Sequence, residues 1–401
     1  MGFESGSVSF RRFAVVGNQP ETIDQSVLDK LAEFALRPGE VGVPEEAEYG
    51  WSGGRHVLDD QFSFENNVFA DALTFALRID TNKVPSELAK AYKLIEQDVL
   101  AKGNPSGFIS KKQKKEAKET AQRKVDKELR SGKYRRSKLV PILWDLPSST
   151  LYASVSGKSE EMLHEIFERT FGLTLQPLSA GALGLRLLEA HGKRRDYEDA
   201  RPTRFVFGPE GESQQAEYPW VAKGPEAKDF YGNEFMLWLW QQADAHAGTF
   251  KTSDNGREVS ILFDRTLDLD CVFGQSGRDS LRGTGVTHMP EAVDALRSGK
   301  VPRKAGLIID ASGMQYNLTL GAETLGFGTL KLPEVEEAEN PRVVFEERVA
   351  MLREFCKMFD AMYDAFLRIR SGASWEGHSA AIRKWIFRST KTVAPLAAAV
   401  A

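Results

Sequence analysis

The residues in this chain best equipped for chemistry are lysines and arginines gathered between Lys102 and Lys138, and the chemistry is anion binding. Lys102, Lys111, Lys112, Lys114, Lys115, Lys118, Arg123, Lys124, Lys127, Arg130, Lys133, Arg135, Arg136 and Lys138 stand against Glu116, Glu119, Asp126 and Glu128, a local balance of +10. The whole 401-residue chain carries −4, so everything outside this stretch sums to −14. An acidic protein with one dense basic element has concentrated its cations there. Tyr134 is embedded among Lys133, Arg135 and Arg136, an aromatic interleaved with cations as in nucleic-acid binders.

Catalytic patterns are missing from the sequence. No Walker loop, G-x-G-x-x-G, H-E-x-x-H or G-x-S-x-G motif occurs, and His56, His164, His191, His246, His288 and His378 are scattered. Asp264, Asp268 and Asp270 share strand parity. They could lie on one face and hold a divalent metal, as a nuclease would need, but a solvated strand face is the preferred reading. Asp145 is a lone acid at a strand end and reads as structural. No enzyme activity, cofactor or resident metal is expected. A metal-dependent nuclease is the alternative, as is a phage or host architectural protein using the basic arm for assembly.

The element that must position the cations is a helix with readable ends. Ser110 and Gln113 have capping-box spacing, and Gly132 is a natural stop. Ala117, Ala121, Val125 and Leu129 recur every four residues as one narrow apolar seam. Twenty residues at about 1.5 Å each make a rod of roughly 30 Å. Duplex DNA of that length carries on the order of eighteen phosphates. A solvated arm or coiled-coil hairpin is the plainer reading, but the charge density favours nucleic acid.

Two cysteines, Cys271 and Cys356, make no disulfide framework, and no apolar run approaches the ~20 residues of a membrane helix. The N-terminus lacks a signal peptide, so the cytoplasm is the expected compartment. Strand patterns occupy Ser7–Gly17, Leu139–Trp144, Leu151–Ser156 and Leu173–Pro177. Phe69–Ile79 fits a strand or a short helix. Helices are expected from Pro85 to Leu100, from Ser159 to Phe171 and over Pro290–Ser298. Leu178–Gln214 reads as linker or surface loops. Phe235–Trp240 (FMLWLW) is either a buried element, which is preferred, or a platform on which bases stack. Arg257–Phe273 suggests a long hairpin, followed by strands at Lys304–Ile309, Tyr316–Leu320 and Gly328–Leu332. Glu334–Asn340 is an acidic loop. Pro341–Arg370 is one long helix whose aromatics, on more than one face, suggest a partner helix, from this chain or from a second subunit. The expected class is α+β. Two similar strand–helix units, 1–101 and 139–190, flank a basic arm at 102–138 with an aromatic tip. Surface loops fill 191–232, an α+β base with a long helix spans 233–371, and a partly disordered tail covers 372–401.

This order of features resembles the RdgC family of bacterial recombination-associated proteins. The matching residues are FRRFAVV in the first strand, Leu36-Arg37-Pro38, Tyr49-Gly50-Trp51, Val84-Pro85-Ser86 before a helix and the Lys-rich helix 111–130. Further matches are Lys133-Tyr134-Arg135-Arg136, Ile142-Leu143-Trp144-Asp145, Gln176-Pro177-Leu178, and Glu291 with Leu296-Arg297-Ser298-Gly299-Lys300. The cover is strongest over 8–180, fair over 285–370 and weakest between 190 and 280. The resemblance implies a ring-shaped homodimer, not an enzyme. It would encircle DNA without sequence preference and limit a recombinase's access, in the cytoplasm at the nucleoid. Its partners would be double-stranded DNA, single-stranded DNA and the recombinase filament. Carried over, Lys111, Lys112, Lys114, Lys115, Lys118, Arg123, Lys124 and Lys127 would line or flank the hole. Arg130, Lys133, Arg135 and Arg136 would extend the set. Tyr134 would stand at a finger tip, and Arg278 and Arg282 would give a second phosphate contact.

Overall fold

The computed structural model describes residues 2–37, 47–105, 107–208, 211, 214–222, 227–245, 248–254, 256–334 and 340–388. The body of the expected acidic loop, 335–339, and the Ala-rich tail from Ser389 lie outside the described residues. The chain is mixed α+β and forms two compact units, 15–175 and 2–14 with 176–401.

In the first unit, the end of β1 (Val8–Val16) leads to α1 (Gln25–Glu33), capped by the Asp24 carboxylate, which accepts from the Val27 N–H. Then come β2 (Ala47–Ser52), α2 (Phe64–Asn67), β3 (Val68–Phe69) and β4 (Ala72–Asn82). Helices α3 (Ser86–Lys102) and α4 (Lys111–Arg130) precede β5 (Arg135–Asp145), β6 (Thr150–Ala153), α5 (Lys158–Phe171) and β7 (Thr174–Pro177). β4 pairs antiparallel with β2 on one side and β5 on the other, and β6 follows β5. The strands before and after the basic arm therefore share one sheet instead of building separate units. β4 is buried continuously from Ala72 to Asp80. That erases the apolar–polar alternation of a half-exposed strand and explains why its period is ambiguous in the sequence. The core gathers Trp51 against Phe75, and Trp144 edge-on to Phe167 and Phe171 at 5.2 and 5.1 Å. The Trp51 indole donates to the Thr170 hydroxyl at 2.8 Å, so its one polar atom is satisfied inside.

The second unit is organised on an antiparallel sheet beneath long helices. Its elements are α6 (Ala180–Ala190), α7 (Arg194–Asp199), α8 (Phe230–Ala245), β8 (Thr249–Lys251), β9 (Glu258–Cys271), β10 (Asp279–Gly283) and α9 (Pro290–Arg297). These are followed by β11 (Lys300–Ala311), β12 (Met314–Gly321), β13 (Phe327–Lys331), α10 (Pro341–Arg370) and α11 (Trp375–Ile386). The strands run in the order β10–β9–β11–β12–β13–β1, with β8 also on β9.

Several expectations change here. Arg257–Phe273 is one long strand, β9, and not a hairpin. The segment expected to be loops contains α6 and α7, and Leu183, Leu188, Tyr197, Phe205 and Tyr218 are buried. The segment read as tail contains α11, with Ile382, Trp385 and Ile386 buried. FMLWLW lies within α8, and Trp238 and Trp240 are buried, so it is no exposed platform. A helix apolar all round has to be covered all round. α8 achieves this between β9, β11, α10 and α11. The aromatics on several faces of α10 are covered within the chain: Phe359, Tyr363 and Phe366 pack on Phe235, and Phe355 packs on Tyr316 and Phe327. They require no second subunit.

Candidate nucleic-acid interface

The basic helix is one half of an antiparallel helical hairpin inserted between two paired strands. β4 and β5 are in register from Ala72↔Asp145 to Asn82↔Arg135. α3 and α4 replace the turn that would otherwise join them, and the Asn82 side chain donates to the Leu129 carbonyl at 2.9 Å. The expected capping box is present: the Ser110 hydroxyl accepts from the Gln113 N–H, and the Gln113 side chain accepts from the Ser110 N–H. Gly132, at φ +68°, closes the other end where a side chain would be strained.

The apolar seam faces α3. Ala117 and Ala121 are buried, while Val125 and Leu129 are half-buried. Small side chains let the two helices approach, and polar pairs fix their register. Tyr92 donates to Glu128 at 3.0 Å, Lys124 meets Glu96 at 2.5 Å, and Asn104 and Gln113 exchange two amide hydrogen bonds at 3.1 and 3.0 Å. The bond to Glu128 raises the Tyr92 hydroxyl above its ordinary pKa. α3 has no buried residue, and Leu94, Ile95 and Val99 are exposed along it. The hairpin is thus a slender projection with cations over most of the α4 circumference.

The cations divide into two groups. Lys111, Lys112, Lys114, Lys118, Arg123, Lys127, Arg130 and Arg136 are exposed, and among the described residues they form no ion pair. Lys115 and Lys133 lie at 3.9 Å from Glu119 and Glu128, loose surface pairs that leave them available. The Lys133 ammonium sits 5.5 Å from the Tyr134 ring centroid. Lys124 and Arg135, by contrast, already pair with carboxylates of this chain. Arg135 holds Asp80 at 3.0 Å and Glu48 at 2.8 Å, and Asp80 also pairs with the buried Arg78 at 2.6 Å.

Burial is the largest single influence on Asp80 and pushes its carboxyl up. Hydrogen bonds from Arg78 and Ser137 and the charges of Arg78 and Arg135 outweigh it, and the net shift is downward. A carboxylate depressed in the folded state stabilises fully above its unfolded pKa, about 3.9, and loses that contribution as pH falls through its folded value. Asp80→Asn is expected to flatten the acid limb of stability below about pH 4. It should also cost about 3–5 kcal/mol at neutral pH by leaving Arg78 buried without its anion. Urea midpoints from pH 3 to 7 check both; an unchanged acid limb would show that Asp80 does not set it.

Other expected site residues fall elsewhere. Tyr134 is not at a tip: it follows α4 at the base, where the chain enters β5, whereas the hairpin's far end lies between the end of α3 at Lys102 and the start of α4 at Lys111. Arg278 and Arg282 belong to the second unit, where Arg278 binds Asp268 at 2.5 Å and Arg282 lies 4.0 Å from it. Their charge offsets a buried carboxylate before it can offset phosphate. The three aspartates of β9 do not share a face. A register break opposite Gly306, with Arg265 at φ +56°, separates Asp264 from the other two. Asp264, Asp268 and Asp270 pair respectively with Arg265, Arg278 and Arg303. Among the described residues no group of three or more His, Cys, Asp or Glu is placed to hold a metal ion, and no helix is long and apolar enough to cross a membrane.

The residue missed from the sequence is Phe108, in the turn of the hairpin and 82% exposed. The signal was available: Gly103, Asn104 and Pro105 form a turn cluster between two helical stretches, and a helix with a thin alanine seam needs a neighbour. Compared with known proteins, the chain matches no family model and no curated protein.

Proposed function

We propose that this protein binds DNA without sequence preference through the α3–α4 hairpin, and that it acts as an RdgC-like ring dimer that encircles DNA and limits recombinase access. The observation that carries the DNA-binding part is the set of exposed α4 cations with no ion pair among the described residues. Seven of them, Lys111, Lys112, Lys114, Lys118, Arg123, Lys127 and Arg130, lie on one rigid helix in a chain of net charge −4. Holding like charges together destabilises a fold unless something neutralises them, and a phosphate backbone is the polyanion with matching spacing. Backbone cations without base-reading groups give affinity without sequence discrimination. The ring, the dimer and the recombination role rest on the family resemblance alone.

Topology tests the encircling arm directly. Protein bound to nicked circular duplex should survive a high-salt wash that strips an equally long linear duplex, because ring opening must precede release from a circle. Equal loss from both would leave an open clamp and remove the ring. Absence of binding to either at low salt would remove the DNA-binding reading itself.

A further inference from the structure

Just before α4, Phe108 holds an aromatic ring in water. Phe108 is 82% exposed, whereas Phe13, Phe75 and Phe167 are fully buried. The turn forgoes the hydrophobic gain of covering that ring. Its described residues are tied by hydrogen bonds. The Asn104 side chain donates to the Phe108 carbonyl at 2.6 Å and is itself locked to Gln113 by two amide hydrogen bonds. Ser110, two residues on, is held by the capping box. Gly107 takes φ +68°, a conformation that suits glycine and turns the chain just before the ring. The Phe108 carbonyl is therefore tied to Asn104 and the chain beyond it to the α4 cap, while the ring stands exposed to solvent. Lys111, Lys112, Lys114 and Lys115 follow at once on the first turns of α4, all exposed.

We infer that Phe108 is a base-stacking residue, engaging unpaired nucleobases of a strand whose phosphates are held by the first turns of α4. The inference rests on the nucleic-acid reading above and goes beyond it, because it names the strand chemistry recognised. Cations bring the backbone to this end of the hairpin, and every base offers a π-face to an aromatic ring whatever the sequence. In intact duplex those faces are already stacked, and inserting a wedge costs unstacking energy. Single strands and gaps carry no such cost. The hairpin tip should therefore favour single-stranded or gapped DNA, while the cations along the rest of α4 hold either form.

The test uses the full chain, a mixed-sequence 20-mer single strand and the corresponding intact duplex. Phe108→Ala should weaken single-strand binding about tenfold, with the salt slope unchanged because no phosphate contact is lost. Duplex binding should change far less, and Phe108→Trp should restore the single-strand affinity. If Phe108→Ala binds the single strand like the parent, and binding stays salt-dependent, the stacking role is overturned while DNA binding stands. If the variant loses both forms equally and falls apart into smaller species in sedimentation, Phe108 is a subunit contact and the stacking role is again overturned. Failure of the unaltered protein to bind any DNA would sink the underlying reading as well, which keeps the two failures distinct.

Discussion

Replacing Lys111, Lys112, Lys114 and Lys115 together by glutamine is expected to weaken binding to random duplex DNA by about two to three orders of magnitude near 0.1 M salt. The slope of log K against log salt should fall by about three to four, close to one for each cation removed from a phosphate. These four suit the experiment because their removal should leave the fold alone. All are exposed, and among the described residues Lys115 alone of the four has an ion pair, at 3.9 Å on the surface. Glutamine is nearly as good a helix former as lysine, and the Ser110–Gln113 cap is untouched. An unchanged salt slope with unchanged helicity would end the assignment of α4 to phosphate. Lys124→Gln is the informative contrast. Its ammonium already faces Glu96 at 2.5 Å, so its loss should disturb the α3–α4 contact more than the salt slope.

A loss of stability as large as that at Asp80 is expected at Glu234 and Arg370 in the second unit. Glu234 is completely buried in α8 and accepts from the Thr203 N–H at 2.6 Å and from Arg370 Nε at 2.5 Å. Arg370, at the end of α10, also donates to the Arg201 carbonyl at 2.6 Å. Its guanidinium lies 5.5 Å from the Tyr231 ring centroid and 4.9 Å from that of Trp375. Burial alone would lower the Arg370 pKa, but the Glu234 charge and hydrogen bond outweigh it and raise the value further. Arg370→Met should cost about 3–5 kcal/mol, because it leaves a buried carboxylate without its counter-charge. The double variant Glu234→Met/Arg370→Met should be less destabilised than the sum of the singles. Guanidinium unfolding of the three variants measures both effects. Additive losses would mean that the two side chains do not act as a pair.

The site was legible in the sequence wherever its causes are local. Ser110, Gln113 and Gly132 mark the ends of α4 because capping is decided within one turn of chain. The i+4 recurrence of Ala117 and Ala121 marks the buried line because a helix repeats every 3.6 residues. The strands β11, β12 and β13 and the long helix α10 were readable on the same grounds. The partner of the alanine seam was not, since nothing in residues 111–130 says that 86–102 lies against it. Continuous burial misled in its own way. β4 and α8 show no clean period because nearly every position is covered, so length and neighbours alone told strand from helix.

Composition and capping are properties of contiguous residues, so the concentration of cations on one helix between Ser110 and Gly132 can be read along the chain. Which of those cations remain available depends on how the chain folds. Arg135 is neutralised by Asp80 and Glu48, Lys124 by Glu96, and the expected outlier Arg278 by Asp268. The fold also places Phe108 at the turn of the hairpin and Tyr134 at its base. Charge is counted along the chain but compensated through space: a carboxylate acts on a guanidinium according to distance and burial, and strand pairing, not sequence separation, brings Asp80 to Arg135.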